Sequence, residues 1–237
     1  MGKQIKLTNT DFLAIEKEDG NYFSIKGNSL CKQGLYEEAI EFYRLAAAMG
    51  NSHSINRLGN FYLFGDGTKA NISVSIGYFK MAAIKENIDS CIKLGEIYST
   101  DRWGLKDNEM SIYYYRLGAS AIIGGEWNVH NVIWCSNLQK YPHLSFAIGK
   151  EFFKGKNLDK DLVLSYIFLR HAFEGYLSIF PNEEEDYHKY LDDVVELLAN
   201  DEFDSIRDEI EEEFSFAYSG DEEFNELEED EEETPTN

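Results

Sequence analysis

Basic residues are almost missing from one end of this 237-residue chain: residues 182–237 carry 25 acids against only Lys189 and Arg207. Residues 1–181 are near balance, with 19 acids and 20 bases, so the formal net charge of −22 belongs to the last quarter. Such a surface lacks the Lys and Arg that displace counterions from phosphates, which excludes nucleic acid as the expected ligand. It is equally unsuited to an anionic membrane surface. What remains is solubility, or the steering of a basic protein partner. Cysteine is also scarce: Cys31, Cys91 and Cys135 are odd in number and form no C-x-x-C pair. That excludes a disulfide frame and a zinc ribbon, fits a reducing compartment, and leaves the three as small buried hydrophobes. No apolar run reaches the roughly 18–20 residues of a spanning helix; the best, around Leu117 to Ile123, is far too short. Met1 to Gly20 mixes Lys3, Lys6, Asp11, Glu16, Lys17, Glu18 and Asp19 with isolated apolar residues, so no secretory signal is expected and the implied location is cytoplasmic.

Catalytic signatures are missing too. H-E-x-x-H, G-x-S-x-G and an EF-hand loop do not occur, and Gly149 to Lys156 fails as a phosphate loop because Asn157 stands where Ser or Thr is needed. His53, His130, His143, His171 and His188 are spaced so that no two share a helical turn. Neither a metal site nor a cofactor is expected. Carboxylates are abundant, yet a general acid needs a pocket that shifts its pKa, and most of these lie on predicted solvent faces. The expected protein is not an enzyme, an uncharacterised activity being the weakest of the alternatives.

What the sequence does contain is apolar material and a period. Hydrophobic residues make up 43% of the chain, enough to bury a core as one or at most two domains. Leu58-Gly59 recurs as Leu94-Gly95, Tyr62 as Tyr98, Tyr78-Phe79 as Tyr114-Tyr115, and Ala82-Ala83 as Gly118-Ala119, each at an offset of 36. One step back, Phe42-Tyr43 and Ala46-Ala47 join the series. Within a unit, Ile55, Leu58 and Tyr62 fall at helical steps, Gly65-Asp66-Gly67 breaks the pattern, and Val74 to Ala83 resumes it. The unit is therefore helix, Gly-rich turn, helix. Gly59 and Gly95 let a neighbouring helix approach, and one such pair cannot bury its own apolar face, so units must stack.

The string Leu58-Gly59-Asn60-Phe61-Tyr62 to Gly65-Asp66-Gly67, then Tyr78-Phe79-Lys80-Met81-Ala82-Ala83, resembles the Sel1-like repeat, a relative of the tetratricopeptide repeat. The unit before it looks more like a plain tetratricopeptide repeat, with Gly27, Leu30, Gly34-Leu35-Tyr36, Glu38-Ala39, Tyr43 and Ala46 and a shorter turn. A further unit resembles the family at Ile148-Gly149, Phe152, Gly155, Leu158, Asp161, Phe168 and Ala172. The resemblance implies an all-α, right-handed α-solenoid of stacked antiparallel helix pairs over residues 21–175, after an N-terminal segment 1–20. Two departures stand out. Trp103-Gly104 replaces a G-x-G turn, predicting a turn that is altered, longer or more exposed. From Gly95 to Gly149 is 54 residues, so a segment near 124–142, with Glu126 to Gln139 at its centre, is inserted or replaces half a unit; if that segment is a lone helix, an extended link near Tyr141-Pro142 must restore the up-down alternation.

Pro181-Asn182 ends one element, and two amphipathic stripes follow: Tyr187, Leu191, Val194, Leu198, then Phe203, Ile206, Ile210, Phe214. These predict an acidic helical cap over 176–218 on the last repeat, before an acidic tail, 219–237, too poor in apolar residues to order itself. The resemblance implies a non-catalytic adaptor or scaffold that binds another protein through its concave face, formed by the first helix of each unit. Counting from the packing glycine, that face is expected to hold Ser24 and Asn28, Asn56, Asn60 and Phe64, Glu96 and Thr100, and Phe146, Lys150, Phe153 and Lys154. The alternative, also from the resemblance, is an immunity protein that neutralises a cognate basic toxin through an acidic patch of Glu183, Glu184, Glu185, Asp192, Asp193, Glu211, Glu212 and Glu213.

Overall fold

The computed structural model describes residues 5–179 and 186–219, and every regular element among them is helical. The chain divides into two compact units, Met1–Ala121 and Ile122–Asn237. In the first, α1 (Asn9–Glu16) precedes three helix pairs: α2 (Gly20–Lys32) with α3 (Tyr36–Ala48), α4 (Ser52–Phe64) with α5 (Ile72–Ala83), and α6 (Ile88–Ser99) with α7 (Asn108–Ile123).

Each pair is built on a glycine of its first helix that faces a bulky side chain of its second. A Cβ added to Gly27 would stand 2.8 Å from the Tyr43 ring, one on Gly59 2.6 Å from Phe79, and one on Gly95 2.6 Å from Tyr115. The close approach is tied by a buried hydrogen bond. Ser75 Oγ donates to the Gly59 carbonyl at 2.8 Å and Ser111 Oγ to the Gly95 carbonyl at 2.9 Å. The first pair has a turn four residues shorter and carries buried Ala39 at the corresponding place. Helix starts repeat with the same period: Asn51 and Asn87 cap α4 and α6, and Asn71 and Asp107 receive the amides of Val74 and Met110 at the starts of α5 and α7.

The turn holding Trp103-Gly104 is not lengthened. Asp107 N donates to the Tyr98 carbonyl at 2.8 Å just as Asn71 N does to Tyr62 at 2.7 Å, closing the same nine-residue span. Only the interior differs: Gly65 and Gly67 take positive φ in one turn, Gly104 alone in the other. Gly67 is doubly required, since a Cβ there would also strike Tyr36 and the Glu37 backbone amide.

Successive pairs share one core. Tyr43 and Ala39 pack with Leu58 and Phe61, and Phe79 and Ala83 with Cys91, Leu94, Ile97 and Tyr114. Ser90 Oγ donates to Asn56 Oδ1 at 2.8 Å inside this stack. The open end is covered by α1, an element the mixed charges of residues 1–20 did not predict. Ala14 joins Phe23, Phe42 and Ala46, while fully buried Asp11 accepts from Lys26 Nζ at 2.6 Å and from the Tyr22 hydroxyl at 3.0 Å. Burial pushes the Asp11 carboxyl up, but the hydrogen bonds from Lys26, Thr8 and Tyr22 outweigh it and hold its pKa down to about 2.

The second unit holds α8 (Val129–Ile133), a 3-10 turn (Ser136–Lys140), α9 (Pro142–Lys154), α10 (Leu162–Ile179), α11 (Asp186–Leu198), a second 3-10 turn (Asp201–Phe203) and α12 (Arg207–Ser219). The α9–α10 hairpin reproduces the earlier contacts. Ser165 Oγ donates to the Gly149 carbonyl at 2.8 Å, Asp161 N to the Phe152 carbonyl at 3.1 Å, and a Cβ on Gly149 would lie 2.9 Å from Leu169. Leu164 to Leu169 are buried without a break, because α10 is enclosed by α9, α8, the first 3-10 turn and the elements after it.

Three points that the sequence left open or placed differently resolve here. Glu126 to Gln139 is not a lone helix: α8 has five residues, a 3-10 turn follows, and Trp127 packs on Phe152 and Phe168. Pro142 is not in an extended link but in the first turn of α9, where its missing N–H costs nothing. Phe203 does not begin the last helix; it sits on the second 3-10 turn between Phe153 and Tyr166, ring centroids 5.4 and 5.2 Å away. Val194, Ile210 and Phe214 are buried as the stripes predicted, whereas the Tyr187 side chain and the acidic run Glu228 to Glu233 lie outside the described residues.

The glycine contact predicts opposite effects of one substitution at two helical positions. Gly95→Ala forces a Cβ into the Tyr115 ring and is expected to destabilise the protein by about 1–3 kcal/mol. Gly77→Ala, on α5 with nothing within 4 Å of the new Cβ, is expected to stabilise it by roughly 0.5–1 kcal/mol. Urea unfolding of both variants beside the parent decides the point.

Candidate partner-binding surface

An α-helix turns about 100° per residue, so positions counted from the packing glycine fall on definite faces. Three before and four after lie roughly 40–60° round from it; two before, one after and five after lie roughly 100–160° round. The structure separates these groups. Ser24, Asn56 and Phe146, each three before their glycine, are buried, so they are not surface residues. Asn56 is consumed by the bond from Ser90. Phe153, four after, is half-buried against Phe203, with Lys160 Nζ 5.4 Å from its ring centroid. Asn28, Asn60, Glu96 and Lys150, one after, are half-buried, and Thr100 and Lys154 are open. Phe64, five after, is 57% exposed.

The open face is therefore rotated by one position from the expected one. On α4 it runs His53, Arg57, Asn60, Phe64, and on α2 it runs Asn21, Ile25, Asn28, Lys32, at steps of 4, 3 and 4. Arg57 was missed because counting began three residues before the glycine rather than two; His53, six before Gly59, lay outside the counted positions, and Lys32, five after Gly27, was left out although Phe64 at the equivalent place was included. The polar spacing His53–Arg57–Asn60 was the signal that could have found them. The two stripes meet at an open hollow of about 320 Å3 lined by Asn28, Cys31, Lys32, His53 and Arg57. The Arg57 guanidinium lies over the Tyr43 and Phe61 rings, 6.0 and 5.7 Å from their centroids. Burial lowers the His53 pKa, Arg57 adds to this, and Asp89 opposes it. On the next stripe Lys93 is paired with Glu96 at 2.7 Å.

In the second unit the acidic residues do not form one solvated patch. Glu211 points inward, accepting from the Tyr166 hydroxyl at 2.8 Å and pairing with Arg170 Nε at 2.6 Å. Burial, and then Glu211 itself, raises the Tyr166 pKa to about 12, so that hydroxyl stays a donor. Glu212, Glu213 and Asp192 are exposed and Asp193 is half-buried; Asp208 and Glu209 add to the outer face of α12. Glu183, Glu184 and Glu185 lie outside the described residues. Behind this face His171 is buried, its Nε2 2.7 Å from the Val132 carbonyl, with Phe214 of α12 edge-on to its ring.

The family model of the Sel1 repeat matches residues 20–51, 52–87 and 88–121. Residues 20–121 carry three Sel1 repeats. These three repeats coincide with the α2–α3, α4–α5 and α6–α7 pairs. Among solved structures the chain is similar to a Sel1 repeat protein from Oxalobacter formigenes, at 24% identity over 64% of this chain and 95% of that one, with a TM-score of 0.44. It is also similar to a protective antigen of uropathogenic Escherichia coli displaying an SLR fold, at 13% identity over 94% of this chain and 66% of that one, with a TM-score of 0.40. No curated protein matches the sequence. Among the described residues, no three His, Cys, Asp or Glu side chains are grouped to share a metal ion, and no helix is long and apolar enough to cross a membrane.

Buried His171 gives the stability of the fold a pH dependence. Burial lowers its pKa from 6.5 to about 4, so the folded state holds it neutral while the unfolded chain binds a proton below about pH 6.5. Stability is therefore lost as pH falls from about 6.5 toward 4, by about 3 kcal/mol in all, and is fully present above that window. The Asp11 contribution, lost only below its unfolded value near 4, is separate. Urea unfolding at pH 7 and 4.5 is expected to show the loss in the parent and a much smaller one in His171→Gln.

Proposed function

We propose that the protein is a non-catalytic interaction module of the adaptor kind, which binds another polypeptide along the open stripes of α2, α4 and α6. Sel1 repeats in general serve protein interactions, which supports the class. The observation that carries the reading for this chain is the α4 stripe, where an exposed Phe64 stands in line with Asn60, Arg57 and His53. An aromatic anchor beside polar groups on a rigid, packed helix suits an extended peptide, whose backbone needs donors and acceptors and whose side chains need a hydrophobic contact. The three free thiols are compatible with a cytoplasmic setting.

A second reading rests on α12. Its exposed Asp208, Glu209, Glu212 and Glu213 offer a negative ridge to a basic protein, as an immunity protein would to a cationic toxin. The two readings place the partner on different units and separate by mutation and salt. Affinity capture with the full chain, followed by titration of the captured protein, is expected to lose at least tenfold in affinity with Phe64→Ala or Asn60→Ala. It should change less than twofold when the four α12 acids are neutralised to Asn and Gln. Retained affinity in the stripe variants, with a steep loss on neutralising α12 or raising salt, would transfer the function to the acidic ridge.

A further inference from the structure

Helix α12 places aromatic side chains at three alternate positions, and two of them turn inward. Phe214 is buried edge-on to the His171 ring, and Tyr218 stacks on Phe214 with its hydroxyl 3.4 Å from His171 Nδ1. Phe216, between them in the chain, points the other way and is 71% exposed. Its ring meets Trp134, just past the end of α8, with centroids 6.1 Å apart and planes at 82°. Trp134 is itself 45% exposed and lies 5.8 Å from the His130 ring. Two large rings thus stand together at the surface of the second unit, whereas Phe152, Phe168, Phe203 and Phe214 of the same unit are buried. Their backbone is fixed, since the Tyr218 hydroxyl donates to the carbonyl of Ile133, the residue before Trp134, at 3.4 Å. The same face of α12 is acidic. At about 100° per residue, Glu209, Glu212 and Glu213 lie roughly 20–60° round the helix from Phe216, and all three are exposed. None of them has an ion-pair partner among the described residues. The single base of α12, Arg207, is engaged elsewhere, by Asp204 at 2.8 Å and by the Leu198 and Asn200 carbonyls.

We propose that the Trp134–Phe216 pair anchors a docking surface for a basic amphipathic segment of another protein, one that sets Lys or Arg beside an apolar side chain. Exposed acids alone fit any cation, and exposed rings alone fit any apolar face; the two on one helix face select a partner that has both. Adjacent rings make a contiguous apolar patch that a solvated helix does not need, and aromatic anchors of this kind supply much of the binding energy at protein interfaces. The negative face of a tryptophan or phenylalanine ring also attracts a guanidinium or ammonium. A carboxylate one turn away on the same helix offers that cation a charge-assisted hydrogen bond. An acidic segment is repelled here, and a second copy of the chain, at a net charge of −22, brings the same repulsion. The surface lies wholly on the second unit, so the inference does not rest on the stripe reading. It builds on the second reading, adding to the negative ridge a pair of hydrophobic anchors and with them a preferred partner chemistry.

The test uses nitrogen-15-labelled full-length protein, in which the indole N–H groups of Trp103, Trp127 and Trp134 report separately, and three acetylated, amidated helical peptides. One sets Lys and Leu along a shared face, the second has Gln for every Leu, and the third has Glu for every Lys. The Lys/Leu peptide is expected to shift the Trp134 indole and the amides of Glu212 and Phe216 saturably while the Trp127 indole, packed on Phe152 and Phe168, stays in place. The Lys/Gln peptide should bind at least tenfold more weakly and the Glu/Leu peptide not at all. Phe216→Ser, a change at a largely exposed ring, should weaken the Lys/Leu peptide at least tenfold. Neutralising Glu209, Glu212 and Glu213 together to Gln should do the same and flatten the dependence on salt. Equal binding of the Lys/Leu and Lys/Gln peptides, or indifference to Phe216→Ser, would overturn this inference and leave the second reading as a charged ridge without an anchor. Binding of the Glu/Leu peptide as tight as that of the Lys/Leu peptide would overturn it too, because the acids would then select nothing. Sedimentation of the unliganded protein as a dimer that Phe216→Ser dissociates would assign the surface to a second copy and equally overturn it. Whether a captured partner depends on Phe64 has no bearing on these outcomes.

Discussion

A helix pair in this protein is held by one close approach: a glycine on the first helix accepts a ring or a branched side chain against its backbone, and a serine on the second helix bonds to that glycine's carbonyl. The contact recurs at Gly59, Gly95 and Gly149 with Ser75, Ser111 and Ser165. Sixteen residues separate the partners in all three, and that constancy makes the turn between them constant as well. Packing and hydrogen bonding reinforce each other here. The missing Cβ lets the helices approach closely enough for the hydroxyl to reach the carbonyl, and the bond satisfies a buried polar atom that would otherwise destabilise the core.

Everything that shows at the surface follows from that contact. Once the glycine is turned toward its partner helix, the residues near it in azimuth are committed to the core and those about 100–160° round are left open. Ser24, Asn56 and Phe146 fall inside for this reason, and His53, Arg57, Asn60 and Phe64 outside. The polar character of a residue does not decide its exposure. Asn56 is buried because Ser90 of the next repeat supplies its hydrogen bond, while Asn60, one turn on, has no such neighbour in the core.

The second unit shows the same hairpin under different cover. Where Tyr62 stacks on Tyr78 and Tyr98 on Tyr114, the α9–α10 pair stacks Phe152 on Phe168. The hydroxyls are absent where Trp127 closes over the two rings and water is excluded. Arg170 occupies the place that Arg44 and Lys80 hold in the earlier repeats, but it bonds the inward Glu211 of α12. An acid that the charge pattern assigns to a solvated patch is in fact a fastening between α10 and α12. Its neighbours Glu212 and Glu213 remain solvated, because on a helix only every third or fourth residue can face the same partner.

The 36-residue period, the helix-turn-helix unit, the packing glycines and the buried stripes of the C-terminal helices were all legible in the sequence, because each is set by local spacing of small, apolar and turn-forming residues. What spacing could not supply was the azimuth of the open face, the 3-10 turns at Ser136–Lys140 and Asp201–Phe203, and the docking of α1 through Asp11. These depend on which neighbour lies across a helix, and neighbours come from distant parts of the chain. The sequence by itself determined that this is an array of helix pairs with an acidic end. Only the tertiary structure decided which of its polar residues, like Asn56, are consumed inside the array and which, like Phe64's neighbour Asn60, stay at its surface, since a hydrogen bond or an ion pair is satisfied across space and not along the chain.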